Sequence, residues 1–312
     1  MFNDVIVNML ELIETRIAQM RDRALELLNS ASNFMSYVIE VPPSREFIRF
    51  IAVDSGFTEI TYLGFRIAVI NVALLMNVDG KGHVINKFDA LLGISSEELE
   101  RIALDMEAQY ALEYSRSFPP VDIVLLDGGA LMGGRNYVSR FSTPLLAHVK
   151  DVKGNRYSQG GIADDEFRNY VNRALQIMEE PLVMHMIMET HRARNKSVNA
   201  LITKPYVVGR VGDKEVYGFY VQYLPETLPI YTEYIGDSSM IGHVVSRVAP
   251  LSTMPRLGYP APLYIVDRVA KVNADFKGGM VRLIMEKLGG EVLSELRGMY
   301  LKMGLNEYVK SK

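Results

Sequence analysis

Apolar and polar positions follow a few distinct rhythms along the chain. Residues 4 to 30 place Ile6, Met9, Leu10, Ile13, Ile17, Met20, Leu27 and Leu28 at helical spacing among Glu11, Glu14, Arg16 and Asp22, which predicts one long amphipathic helix. Its apolar stripe suits packing on its own domain, or else docking of a partner chain. Pro42 and Pro43 end any helix there. From Phe47 to Val53 the residues are apolar except Arg49, the pattern of a strand covered on both faces, and the run ends in Asp54-Ser55-Gly56. Residues Ile60 to Leu63 and Phe65 to Met76 stay β-rich, and Asp79-Gly80-Lys81-Gly82 turns the chain into His83 to Phe88, a hairpin.

A helix follows, announced by the capping box Ser95 and Glu98 and stopped near Phe118 by Pro119-Pro120. Its stripe of Leu99, Ile102, Ala103, Met106 and Tyr110 extends next to Glu113 and assigns Glu97, Glu100 and Glu107 to solvent. A second covered strand, Ile123 to Leu126, ends in Asp127-Gly128-Gly129. Three strands, a helix and a buried strand form the order of a ribonuclease-H-like fold: α/β, a mixed sheet flanked by helices, with additional N- and C-terminal helices. Residues 164 to 195 read as two helical segments divided at Pro181, and a second β-rich group runs from Asn199 to Tyr234. Helices follow from Ser238 to about Val248 and after Pro262, the latter with Asp267 beside Leu263, Val266 and Ala270. Two more are expected over Gly279 to Lys312. No repeat or long linker divides the chain, so one domain is expected over 1–312, with 1–40 an N-terminal extension, 46–275 the core and 276–312 the closing helices.

The composition, 312 residues with 48% hydrophobic and 23% charged, is that of an ordinary globular protein. A net charge of −3 gives no global attraction to nucleic acid, so any such contact needs a local patch. Arg135, Arg140, Lys150, Lys153 and Arg156 supply one, interleaved with Tyr137, Phe141, His148 and Tyr157, a mixture suited to phosphates and stacked bases. The absence of Cys excludes disulfides, thiolate metal sites and a Cys nucleophile. With no signal-peptide pattern and no apolar run near the ~20 residues of a membrane span, a cytoplasmic location is expected.

Two carboxylates, Asp54 and Asp127, at the ends of neighbouring strands would repel unless a cation or a shared proton held them. Taken singly, an Asp-Gly after a strand is more often a simple turn. Glu113, on a buried helical face, needs a partner, either the site or a salt bridge to Arg116 or a lysine. Glu233, between Tyr231 and Tyr234, fits a structural role or the same cleft. In the segment holding His185, Glu189 and His191, His185 and Glu189 at i and i+4 could share a helical face, but no third ligand stands at metal spacing, which argues against zinc.

With these residues in view the chain resembles the NurA family of nucleases. The resemblance rests on AVDSG at 52–56, ALEYSR at 111–116, VLLDGGAL at 124–131, the strand holding Glu233, and GYPAPLYIVDRVAK at 258–271. Two positions depart from the family pattern: Asp54-Ser55-Gly56 replaces Asp-Gly-Ser, and Asp267 stands where a His is usual. The resemblance implies a toroidal homodimer with manganese-dependent 5′-to-3′ exonuclease and single-strand endonuclease activity on DNA. It also implies a hexameric HerA-type translocase as partner in end resection for recombinational repair. Asp54, Glu113 and Asp127, with Glu233 or Asp267, are the expected holders of two Mn2+ (or Mg2+) ions, and Lys150 is the candidate for neutralising charge in the transition state.

Two other readings fit parts of the pattern. Sugar-kinase, actin and heat-shock ATPases hold ATP phosphates on two Asp-x-Gly turns, which Asp54-Ser55-Gly56 and Asp127-Gly128-Gly129 match, with Lys277-Gly278-Gly279 near adenosine. A non-catalytic subunit clamping DNA or a motor would explain the altered last motif.

Overall fold

A computed structural model describes residues 2–299 apart from 63–64, 118–119, 133–136, 150–155, 253–257, 273–275, 284, 288–289, 292–293 and 296. The chain opens with α1 (Phe2–Ser30) and a 3-10 turn into β1 (Val38–Val41). A meander of β2 (Phe50–Tyr62), β3 (Phe65–Asn77) and β4 (Gly82–Leu92) follows, then α2 (Ser96–Ser117), β5 (Ile123–Asp127) and β6 (Leu145–Val149). Three helices, α3 (Arg156–Gly160), α4 (Asp165–Ala174) and α5 (Glu180–Asn195), precede β7 (Ala200–Thr203), β8 (Tyr206–Val211), β9 (Lys214–Gln222) and β10 (Ile230–Ile235). The chain then forms α6 (Ile241–Val248) and α7 (Ala261–Ala270), and stretches within 276–299 are helical.

The strands form one sheet in the order β1-β7-β9-β10-β6-β5-β2-β3-β4, with β8 added on β9. β5 is parallel to both β2 and β6, while β2, β3 and β4 are antiparallel, the ribonuclease-H-like arrangement expected from the order of elements. Mixed pairing of this kind buries the parallel strands at the centre, and Ile51, Ala52, Val53, Val124, Leu125 and Leu126 are accordingly all shielded from solvent.

Alternation along the strands sorts the core into two faces. Ala52, Leu125 and Leu146 lie under α6 and α7, whereas Val53, Leu126 and Ala147 lie under α2. A further cluster beside the second face packs Phe34, Tyr157, Phe167, Tyr170 and Tyr220 beneath α1, α4 and α5. Leu263 and Val266 of α7 are fully buried, each contributing roughly 1.5–3 kcal/mol to holding that helix on the sheet.

An ion-pair network sets the register between β2 and β5 at the end opposite their acidic residues. Asp122 accepts hydrogen bonds from Arg49 N at 2.9 Å, Arg49 Nη2 at 2.7 Å and Arg247 Nη2 at 2.9 Å. Burial pushes the Asp122 carboxyl up, but the Arg49 hydrogen bonds and the Arg247 charge outweigh it and hold the group below the ordinary range.

Several expectations change. The strand carrying Asp54 does not end there: β2 pairs with β3 from Phe50 to Tyr62, so Asp54 lies mid-strand and Gly56 is extended, not a turn. Only the pairing with β5 stops, at Val53 and Leu126, because β5 itself ends. Two strands, β1 and β6, lay unread behind the proline signal and the basic segment. In that segment Phe141, His148 and Tyr157 are core residues with at most 2% exposure, not a stacking surface. Among the described residues, no helix is long and apolar enough to cross a membrane.

Candidate metal centre

Parallel pairing brings the first two acids together. Val53 is the partner of Leu126, so one step further along the register Asp54 stands beside Asp127 on the face covered by α7. That helix supplies Asp267. Asp54, Asp127 and Asp267 each offer a carboxylate oxygen, and the three oxygens lie within 4.8 Å of one another, all partly buried. Like charges at ~4–5 Å repel by on the order of 3 kcal/mol per pair at an effective dielectric near 20, so the group is costly without a cation.

The position of α7 follows from two cross-strand partners, Gly56 on β2 and Asn71 on β3. A Cβ on Gly56 would lie 2.2 Å from the Ala270 carbonyl oxygen, so only glycine lets the end of α7 approach. Asn71 Nδ2 donates to the Val269 and Ala270 carbonyls at 2.9 and 3.2 Å, satisfying the helix's terminal acceptors. Asp267, one turn before this anchored end, also accepts from Lys271 Nζ at 2.7 Å.

Around the cluster lies a cleft of about 340 Å³ lined by Asp54, Ser55, Glu100, Glu107, Asp127, Gly128 and Asp267. Ser55 N donates to Asp54 Oδ1 at 2.8 Å, while Ser55 Oγ donates to Glu107 Oε1 at 2.6 Å. Glu107 is only 2% exposed. Tyr259, just before α7, is buried against the cluster: burial first, then the Asp127, Asp54 and Asp267 carboxylates, push its phenol well above the ordinary range.

Two expected ligands sit elsewhere. Glu113 is exposed on α2, and Glu107, assigned to solvent by the sequence stripe, takes the inward position. The contact face of α2 runs through Leu99, Ala103, Glu107 and Ala111, four residues apart, and the small Ala103 and Ala111 let the helix lie close to the sheet. The larger Ile102 and Tyr110 lie at its margin and misdirected the stripe. Glu233 is fully buried, but it pairs with Ala147 on the α2 face, opposite to Asp127. Its Oε2 accepts from Leu131 N at 2.9 Å, bracing the loop after β5, which begins at Gly128 with φ of 92°.

Of the basic residues, Arg135, Lys150 and Lys153 lie outside the described residues, and Arg156 is described only as part of α3. Arg140 lies over the Tyr137 ring, 5.0 Å from its centroid. His185 and Glu189 belong to a network around Gln222, whose Nε2 donates to Glu189 Oε1 at 2.7 Å and lies 3.4 Å from His185 Nδ1. The phosphate-turn reading fails at Gly56, since β2 is extended there and the Ala270 carbonyl fills the space a phosphate would need. Lys277, Gly278 and Gly279 are helical.

Sequence reasoning missed Glu107 and the part played by Tyr259. The four-residue spacing of Ala103, Glu107 and Ala111 was the available signal for the first, and Gly258-Tyr259-Pro260 in the last motif for the second.

The donor set is carboxylate oxygen throughout, which suits Mg2+ or Mn2+ and not a soft metal. No protein-family model and no curated protein matches the chain by sequence. Among solved structures it is similar to the NurA nuclease from Sulfolobus solfataricus, with a TM-score of 0.56 at 12% identity, over 88% of this chain and 96% of that one. A second NurA structure superposes with a TM-score of 0.51 at 11% identity, over 91% of this chain and 99% of that one. The chain therefore has the fold of the NurA nucleases across nearly its whole length.

Proposed function

We propose that this chain is a divalent-metal-dependent DNA nuclease that hydrolyses phosphodiester bonds. The observation that carries the proposal is the convergence of Asp54, Asp127 and Asp267 within 4.8 Å, on three separate elements, in an open cleft. The three carboxylates face one another, a costly arrangement that a bound cation relieves, and Lys271 donates to Asp267.

In this reading Asp54, Asp127 and Asp267 hold the cation, Mn2+ or Mg2+, and Glu107 is the fourth carboxylate available to a second ion. The bound metal supplies Lewis-acid polarisation of a phosphoryl oxygen and a water of lowered pKa. Glu107, oriented by the Ser55 hydroxyl, takes the proton of the attacking water. Tyr259, protonated at neutral pH, donates a hydrogen bond within the acidic cluster and excludes water from its buried side. Arg140 and the basic residues near it in the sequence attract the phosphate backbone.

The proposal extends to 5′-to-3′ exonuclease and single-strand endonuclease activity, a toroidal homodimer, and end resection with a hexameric HerA-type translocase. Support for these finer points comes from the ordered set of sequence motifs, together with the shared fold. The test is digestion of end-labelled single- and double-stranded DNA with and without Mn2+. Metal-dependent cleavage that Asp54→Ala abolishes supports the proposal; no cleavage with any divalent metal, with or without such a motor, overturns it.

A further inference from the structure

A second cavity, of about 570 Å³, adjoins the carboxylate cleft, and Val149 and Asp267 line both. That volume is in the range of small-ligand sites, roughly 300–1,000 Å³. Its walls include Tyr264, Leu228 and Pro229, and Leu228 is 53% exposed, an apolar side chain open to whatever enters. Tyr264 and Asp267 stand three residues apart on α7 and so share one helical face. The carboxylates of Glu179 and Asp267 also line the cavity with one cation, Lys271, which is itself bound to Asp267, a balance that disfavours a phosphate there. A neutral, flat group with amines to donate fits this combination of ring, apolar wall and carboxylate.

We propose that this cavity seats one unpaired nucleobase of the bound strand, with the Tyr264 ring as its stacking platform. The inference rests on the nuclease reading above and deepens it. A strand whose scissile phosphate lies at the carboxylate cluster has its neighbouring base within reach of the cavity, because Asp267 borders both. The base must leave its stack to enter, and the aromatic face replaces the stacking it loses. Tyr264 is then a positioning residue that fixes which phosphate meets the carboxylates.

The experiment uses the full chain with Mn2+ and single-stranded oligonucleotides carrying one abasic site walked past the cleavage position. At one position the missing base should raise KM about tenfold with kcat little changed. Tyr264→Ala should raise KM similarly on intact DNA and add nothing on that abasic substrate, while Tyr264→Phe behaves as the parent. Independent, multiplying effects of the two changes, or no sensitive position, overturn the proposal. Binding of an oligonucleotide containing 2-aminopurine, followed by fluorescence without metal, separates the two readings. Quenching by the parent but not by Tyr264→Ala, in a protein that cuts nothing, keeps the base seat and removes the nuclease; cleavage indifferent to every abasic site does the reverse.

Discussion

Gly56 and Ala270 touch where no side chain at position 56 would fit: a Cβ there would lie 2.2 Å from the Ala270 carbonyl oxygen. The contact fixes the C-terminal end of α7 on β2, and Asp267, one turn earlier, inherits its place beside Asp54 and Asp127. Because the obstacle is backbone rather than a flexible side chain, Gly56→Ala must displace the helix. The expected cost is about 1–3 kcal/mol of stability, read by urea unfolding, together with weaker Mn2+ binding. A variant that unfolds like the parent and binds metal equally well would show that the contact does not set the site.

Glu107 and Glu113 make opposite predictions on one helix. Glu107→Gln keeps the shape and the Ser55 hydrogen bond but loses the charge, and metal-dependent cleavage should fall by roughly a hundredfold or more. Glu113→Gln, on the exposed side, should leave the rate within about twofold. Cleavage rates of the two purified variants, with circular dichroism to confirm folding, decide the matter.

Glu233 acts on the loop and not on the metal. Glu233→Gln weakens its hold on Leu131 N and should lower cleavage about 10–100-fold through misplacement of the Asp127 loop. Mn2+ affinity should change far less than it does for Asp127→Asn, as titration calorimetry of the two variants would register.

Acid should loosen the sheet at Asp122. Its carboxyl is held below the ordinary value of 3.8 by Arg49 and Arg247, so its contribution is complete above that value and is lost as pH falls through the lower folded value. Asp122→Asn should cost about 1–3 kcal/mol at pH 6, and the difference from the parent should shrink below about pH 3.5. Urea midpoints at several pH values measure it; a difference that grows on acidification would contradict the assignment.

The central architecture could be read from the chain because its signals were local. Two apolar runs ending in acids, a hairpin turn at Asp79-Gly80 and a Ser95 cap, whose Oγ accepts from Glu98 N at 3.3 Å, each follow from a few adjacent residues. Asp267 was placed by the stripe of Leu263, Val266 and Ala270, and the structure brings it to Asp54 and Asp127. What escaped depends on tertiary contact. Gly56 reads as a turn in sequence, and only the arrival of α7 reveals it as a packing site. The face of Glu233 is set by pairing with β6, a strand hidden among cations, and a shift of one residue would have reversed it. Glu107 was lost because close helix-to-sheet approach favours small residues, whereas the sequence stripe followed the large ones.

The most direct test of the account is a calorimetric titration of the metal-free protein with Mn2+, beside Asp127→Asn, with thermal unfolding of both in the absence of metal. A cation site on these carboxylates should give saturable binding by the parent and its loss in the variant. The metal-free variant should also unfold at a higher temperature, because neutralising Asp127 removes two of the three repulsive pairs, a relief of several kcal/mol. Equal Mn2+ binding by both proteins, or a metal-free variant less stable than the parent, would contradict a cation site built from Asp54, Asp127 and Asp267.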